Sequence, residues 1–592
     1  MKEFFKMVFA TVVGILIFML IFGILGMMCL VGMVASGSAT KSVKDNSVFV
    51  LNLSGALEER AESNVFSMLT GNGTSSIGLD EAVAAIKKAK DNDDIKGIYM
   101  EAGMFTSDSW ASLQALRKSL LDFKKSGKWI IAYGDTYTQG TYYLATVADK
   151  IYLNPEGQVD WHGLAAEPIF LKDLMAKFGV KMQLTKVGKY KSAPEQFTAD
   201  QMSEPNREQV TAYINGLWDN VLTDVSESRK ISKEKLNEYA DSLITFSTSK
   251  DLLAKKMIDG VLYTDEVKKE VKKLLKIDED EKIYQLSLAD MQNVKSKDDD
   301  GDEIAVYYAV GDIVDGNAQS MASNGPVIDA QVVCADLEDL ANDDDVKAVV
   351  LRVNSGGGSA YASEQIWHQL EQLKKKKPVV VSMGGMAASG GYYISCGSQW
   401  IVAEPTTITG SIGIFGMFPD MSQLLTEKLG VKFDEVKTNK NSNFGTSSRP
   451  FTAEEMGYLD QYVGRGYKLF RQRVADGRKQ PVDSIENIAQ GRVWLGQDAL
   501  KIKLVDQLGG LDDAVSKAAA LAKLTEYHTR SYPAPVDAFE QLLSGGEKAR
   551  NNYLDESMRA SLGELYEPLK LLREINQHDA IQARIPFYMN IR

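Results

Sequence analysis

The chain has 592 residues, 44% hydrophobic and 25% charged, which is enough for several packed domains and too apolar for a disordered polymer. Its net charge of −13 excludes a general nucleic-acid role, since phosphate binding needs clustered Lys and Arg. Three cysteines (Cys29, Cys334, Cys396) and four histidines (His162, His368, His528, His578) form neither a disulfide framework nor a spaced ligand set, so no metal or cofactor is expected.

The first element is apolar. No charge occurs between Lys6 and Lys41, and the stretch Met7–Ala35 exceeds the ~20 apolar residues that cross a bilayer. A cleaved signal peptide has a shorter apolar region, so residues 1–45 are expected to hold a short tail, one transmembrane anchor and a linker. Lys2 and Lys6 precede the span while Lys41 and Lys44 follow it, so charge alone does not orient it. The short tail and the long body that follows favour the tail inside and the body outside.

From residue 46 onward, β-rich runs alternate with amphipathic stretches. Strands are predicted at 47–55, 97–102, 129–134 and 150–155, then again at 304–313, 348–354, 378–383 and 400–405; helices lie between, as at 109–126 and 360–377. This alternation predicts an α/β fold with largely parallel pairing. The two sets also match in sequence. DNDDIKGIYM (91–100) resembles ANDDDVKAVV (341–350), TQGTYYLATVADKIYLNP (138–155) resembles ASGGYYISCGSQWIVAEP (388–405), and KFGVKMQLTKVGKYKS (177–192) resembles KLGVKFDEVKTNKNS (428–442). An offset held at 250–251 residues over three blocks indicates tandem duplication. The expected units are 46–294, a charged linker at 295–303, 304–533, and an extension at 534–592. The extension begins with prolines and then shows helical periodicity; it could cap the body, join subunits or trail as a tail.

Comparing the repeats locates the chemistry. Ser389 sits in MAASGGYY, where a valine-rich strand meets small residues, and its counterpart is Gln139. Asn354–Gly358, with its run of three glycines, has the glycine-poor counterpart EAGMF (101–105). Conversely, Lys191 of VGKYKSAPE (187–195) is matched by Ser442, whereas the rival Lys189 is matched by Lys440. Each repeat lacks what the other has, which points to one composite site. A lysine buried away from carboxylates loses its charge and can take a serine's proton without histidine. Glycines after a strand can aim backbone N–H groups at an oxyanion.

RVNSGGGSAYASEQIW, PVVVSMGGMAASGGYYIS, TTITGSIGIFG and VGKYKSAPE together resemble the signal peptide peptidase A family, in its long, duplicated, membrane-anchored bacterial form. The resemblance runs from the anchor to about residue 530. It implies a ClpP/crotonase-like α/β domain in tandem and a serine endopeptidase with a Ser–Lys dyad that degrades remnant signal peptides and other apolar peptides. It implies Ser389 as nucleophile, Lys191 as general base, Ser411 as the residue orienting the lysine, and Gly357 and Gly358 as oxyanion donors. It also implies a homotetramer in the bacterial cytoplasmic membrane with its catalytic body on the outer side.

Two positions depart from the family pattern. Gly356 stands where the loop usually carries proline, and Pro194 follows the lysine by three residues. Glu195 is expected to point away from Lys191 or pair elsewhere, because a nearby carboxylate would keep the lysine charged. The competing functional readings are a crotonase-like acyl-CoA enzyme, against which the membrane span and Ser389 argue, and an inactive membrane scaffold, against which the Ser389–Lys191 pair argues.

Overall fold

The computed structural model describes residues 41–61, 76–295, 301–316, 326–534 and 581–585, with scattered helical residues between Phe4 and Gly23 and the single residue Met558. Among the described residues, no helix is long and apolar enough to cross a membrane. Much of the expected anchor, residues 24–35 included, lies outside the described residues, as does most of the 534–592 extension.

Two parallel sheets repeat one plan. In the first, Ser47–Glu58, Ile95–Ser107, Trp129–Tyr137 and Lys150–Val159 lie side by side. In the second, Asp302–Val310, Val346–Ser355, Val379–Ala388 and Trp400–Ala403 take the same order. The central strands are continuous apolar runs because both faces are covered: Val349, Val350, Leu351 and Val353 are all fully buried. The helices are started by local chemistry. Ser109 caps Trp110–Lys124 by accepting from Ser112 N–H, and Thr452 and Glu455 form a capping box at the start of Ala453–Arg478. The fold is thus a tandem duplication, as expected, and the predicted strand and helix cores lie within a few residues of the observed ones.

The repeats do not stand apart. Lys181–Lys186 of the first repeat pairs antiparallel with Phe415–Asp420 of the second. Helix Glu204–Arg229 presents Val210, Tyr213 and Leu217 to Ile408, Val493 and Leu495. A buried ion pair, Arg352 with Glu59, ties the second repeat's central strand to the first repeat at 2.6 and 3.1 Å. These contacts carry a loop of the first repeat into the second.

Candidate active site

Ser389 ends the strand Val379–Ala388 and precedes the helix Gly390–Ser395. Its φ of 55° and ψ of −112° are unusual for a residue with a side chain, and strain of this kind gathers at functional turns. The turn is fixed on both sides: Ser389 N–H donates to Gly410 C=O and Ser389 C=O accepts from Tyr393 N–H, each at 2.8 Å. Tyr392 and Tyr393 pack beneath it, their hydroxyls donating to Leu504 C=O and the Glu364 carboxylate.

Lys191 arrives on the loop after Lys181–Lys186. Its backbone lies against Gly491 and its side chain passes Gly413, where an added Cβ would press on Lys191 Cδ at 3.2 Å. The loop is held from below: Gln209 donates to Tyr190 C=O at 3.0 Å and to Ser192 Oγ at 2.9 Å. Glu195 accepts from Ser203 N–H, Ser203 Oγ and Asn206 Nδ2, at 3.1, 2.6 and 2.9 Å, so its charge is spent away from the lysine. Pro194 merely opens the short helix Glu195–Thr198.

The two groups meet in the interior. Lys191 Nζ lies 2.7 Å from Ser389 Oγ, 3.0 Å from Ser411 Oγ and 3.2 Å from Ser411 C=O, and all three residues are fully buried. Burial holds the Lys191 pKa well below the ordinary lysine value. The rival Lys189 is exposed, its ammonium 4.9 Å from the Tyr190 ring centre. His162 is exposed beside Asp160, and Gln139, the counterpart of Ser389, bonds the backbone of His162 and Gly163.

The glycine loop divides its tasks. Gly357 N–H donates to Ser355 Oγ at 3.1 Å, so that donor is already engaged. Gly357 has φ +101°, and a Cβ there would collide with the Ala583 carbonyl oxygen. Residues Gly357–Ser359 pair antiparallel with Ile581–Arg584, with Gly358 opposite Ala583. Ile585 N–H donates to Gly356 C=O at 3.0 Å. Bonded pairs alternate along an antiparallel ladder, so the next bonded pair joins Gly358 N–H to Ala583 C=O. Gly390 is the first helical residue, so its N–H has no acceptor within the helix. Sequence reasoning missed Gly390, Ser355 and the strand Ile581–Arg584; the small residue after Ser389 was the one available signal.

Residues 122–278 and 371–525 each match peptidase family S49, and residues 314–402 match the Clp protease family. The chain is 39% identical to Protease 4 of Salmonella typhi over 87% of its own length and 84% of that protein's. It is 34% identical to Protease 4 of Haemophilus influenzae, over 84% of this chain and 83% of that one. It is 30% identical to the chloroplastic serine protease SPPA of Arabidopsis thaliana, over 81% and 69%. Two family matches in one chain, on two repeats of one ClpP-like α/β plan, mean that it belongs to peptidase family S49 and is a serine peptidase with a duplicated domain.

Proposed function

We propose that Ser389 is the nucleophile and Lys191 the general base of a Ser–Lys dyad. The observation that carries this is the buried 2.7 Å contact between them. A neutral amine has two N–H donors and one lone pair. Ser411 C=O and Ser411 Oγ accept the two N–H groups, which leaves the lone pair for the Ser389 hydroxyl. Ser389 Oγ attacks the peptide carbonyl as its proton passes to Lys191. Gly358 and Gly390 N–H groups receive the oxyanion, and Gly357 keeps the loop narrow through its bond to Ser355. The Lys191 ammonium then gives its proton to the leaving amine, and a water activated by the same lysine releases the acyl-enzyme.

The substrates in this reading are extended apolar peptides, remnant signal peptides among them, processed by a homotetramer anchored through Met7–Ala35 in the bacterial cytoplasmic membrane with its body on the outer side. The uncharged stretch and the family resemblance support these points. Hydrolysis of a leucine-rich quenched peptide tests the dyad. Ser389→Ala and Lys191→Ala are each expected to lower kcat by about 10⁴-fold or more. A Lys191→Ala chain with near-native kcat overturns the assignment of the base.

A further inference from the structure

One side chain of the helix Glu204–Arg229 grips Lys191 from both sides. Gln209 Nε2 donates to the C=O of Tyr190 and to the Oγ of Ser192, the two chain neighbours of the lysine, at 3.0 and 2.9 Å. The other end of the amide leaves the first repeat: Gln209 Oε1 accepts from Val493 N–H at 3.2 Å. Val493 lies opposite Gly410 where Val493–Leu495 pairs antiparallel with Ile408–Gly410, at the edge of the second repeat's sheet. Ser411 N–H donates to Arg492 C=O at 2.7 Å, so Gly410 and Val493 form a non-bonded pair and Val493 N–H faces away from the ladder. Val493 is buried, and without the amide this outward N–H would lose its partner.

The amide has one orientation only. Turned over, it would set oxygen against the Tyr190 carbonyl and N–H against the N–H of Val493. Its partners are fixed in turn: Ser192 Oγ donates to Asn206 Oδ1 at 2.8 Å, and Asn206 Nδ2 donates to the Glu195 carboxylate at 2.9 Å. Gln209, Ser192 and Asn206 are all buried. The contacts also close a ring. They run from the Lys191 backbone through Gln209 to Val493, from Arg492 C=O to Ser411 N–H, and from Ser411 Oγ and C=O back to Lys191 Nζ. The duplication supplies a comparison. Helices Glu204–Arg229 and Ala453–Arg478 both have 26 residues and begin after the N-caps Ser203 and Thr452, so Gln209 aligns with Tyr458. Tyr458 is exposed and donates to Glu454. The amide, like the lysine, is present only in the repeat that provides the base.

We infer that Gln209 is a positioning residue for peptide hydrolysis, holding the Lys191 backbone in register with Ser411 and so with Ser389. This rests on the dyad reading above. The Gln209 amide bonds none of the reacting atoms; it acts through the place it gives the lysine. Its loss should therefore slow the chemical step without weakening peptide binding.

The test is hydrolysis of the leucine-rich quenched peptide by the full chain carrying Gln209→Met, which keeps the side chain's length and deletes its amide. kcat should fall on the order of 10²-fold, the effect of a small displacement of a catalytic group, with KM unchanged. Combined with Ser411→Ala, the loss should be smaller than the product of the two single losses, because both act through the position of one amine. Native kcat in a folded Gln209→Met chain, a change confined to KM, or the full product in the double substitution overturns the inference. Should Gln209→Met fail to fold, Ser192→Ala takes its place. Asn206 Oδ1, 3.1 Å from Gln209 Nε2, offers a second acceptor there, so kcat should drop only about fivefold, and native kcat overturns the inference. Near-native kcat in Lys191→Ala sinks the dyad reading itself, whatever Gln209→Met does.

Discussion

Lys191 makes three polar contacts, and its charge state decides what they mean. An ammonium would carry three donors into a fully buried pocket with no carboxylate in contact; an amine matches two acceptors and one hydroxyl donor. Desolvation favours the amine and lowers the pKa. Activity should therefore rise with pH through that lowered value, giving an ascending limb in kcat/KM well below the ordinary lysine range. Stability follows the same sign. Between the lowered value and ~10.4 the unfolded chain holds a proton that the folded chain does not, so stability rises with pH across that window. Ser411→Ala removes one acceptor, which favours an ammonium more than an amine. It should lower kcat by about tenfold, shift the ascending limb to lower pH and leave KM unchanged. A rise in KM at constant kcat would instead place Ser411 in peptide binding.

At the scale of elements, what could be read from sequence was what duplication displays. Lys191 and Ser389 stand out because their counterparts, Ser442 and Gln139, cannot do their chemistry, and the central strands stand out because burial on both faces leaves apolar runs. The Ile581–Arg584 strand could not be read this way. Its five-residue neighbourhood has no turn or cap to mark it, and its partners lie more than 160 positions away in the chain. The choice between Gly357 and Gly358 as oxyanion donor likewise depends on ladder register, which composition does not encode. The Glu59–Arg352 pair was equally hidden, since a glutamate in LEER looks like solvated surface. Both side chains are almost fully buried, and Arg352 donates two more N–H groups to Ser382 Oγ and Met383 C=O. Glu59→Ala would strand a buried guanidinium and should cost about 3–5 kcal/mol, seen as a lower urea midpoint. The double substitution Glu59→Ala with Arg352→Met should recover much of that loss, because no unpaired charge remains.

At the scale of the whole molecule, the join between repeats suggests how copies meet. Lys181–Lys186 finds its partner in Phe415–Asp420. The repeat offset gives the second repeat an equivalent of the first strand at 432–437, and this segment pairs with no strand among the described residues. It is also exposed, with Phe433 at 48% and Val436 at 100%. The equivalent of the second strand lies near residues 164–170 of the first repeat, outside any ladder strand. A contact between these two segments of different copies would repeat the pairing already used inside the chain. Such a contact is head-to-tail, and it makes a ring where its rotation closes. Sedimentation equilibrium of the full chain in detergent should then give a closed oligomer, the homotetramer of the proposed reading. Val436→Pro removes a ladder N–H and is tolerated poorly within a paired strand. It should yield single copies that keep their kcat, because Lys191 and Ser389 belong to one chain. An altered chain that keeps the native mass would show that the copies meet elsewhere.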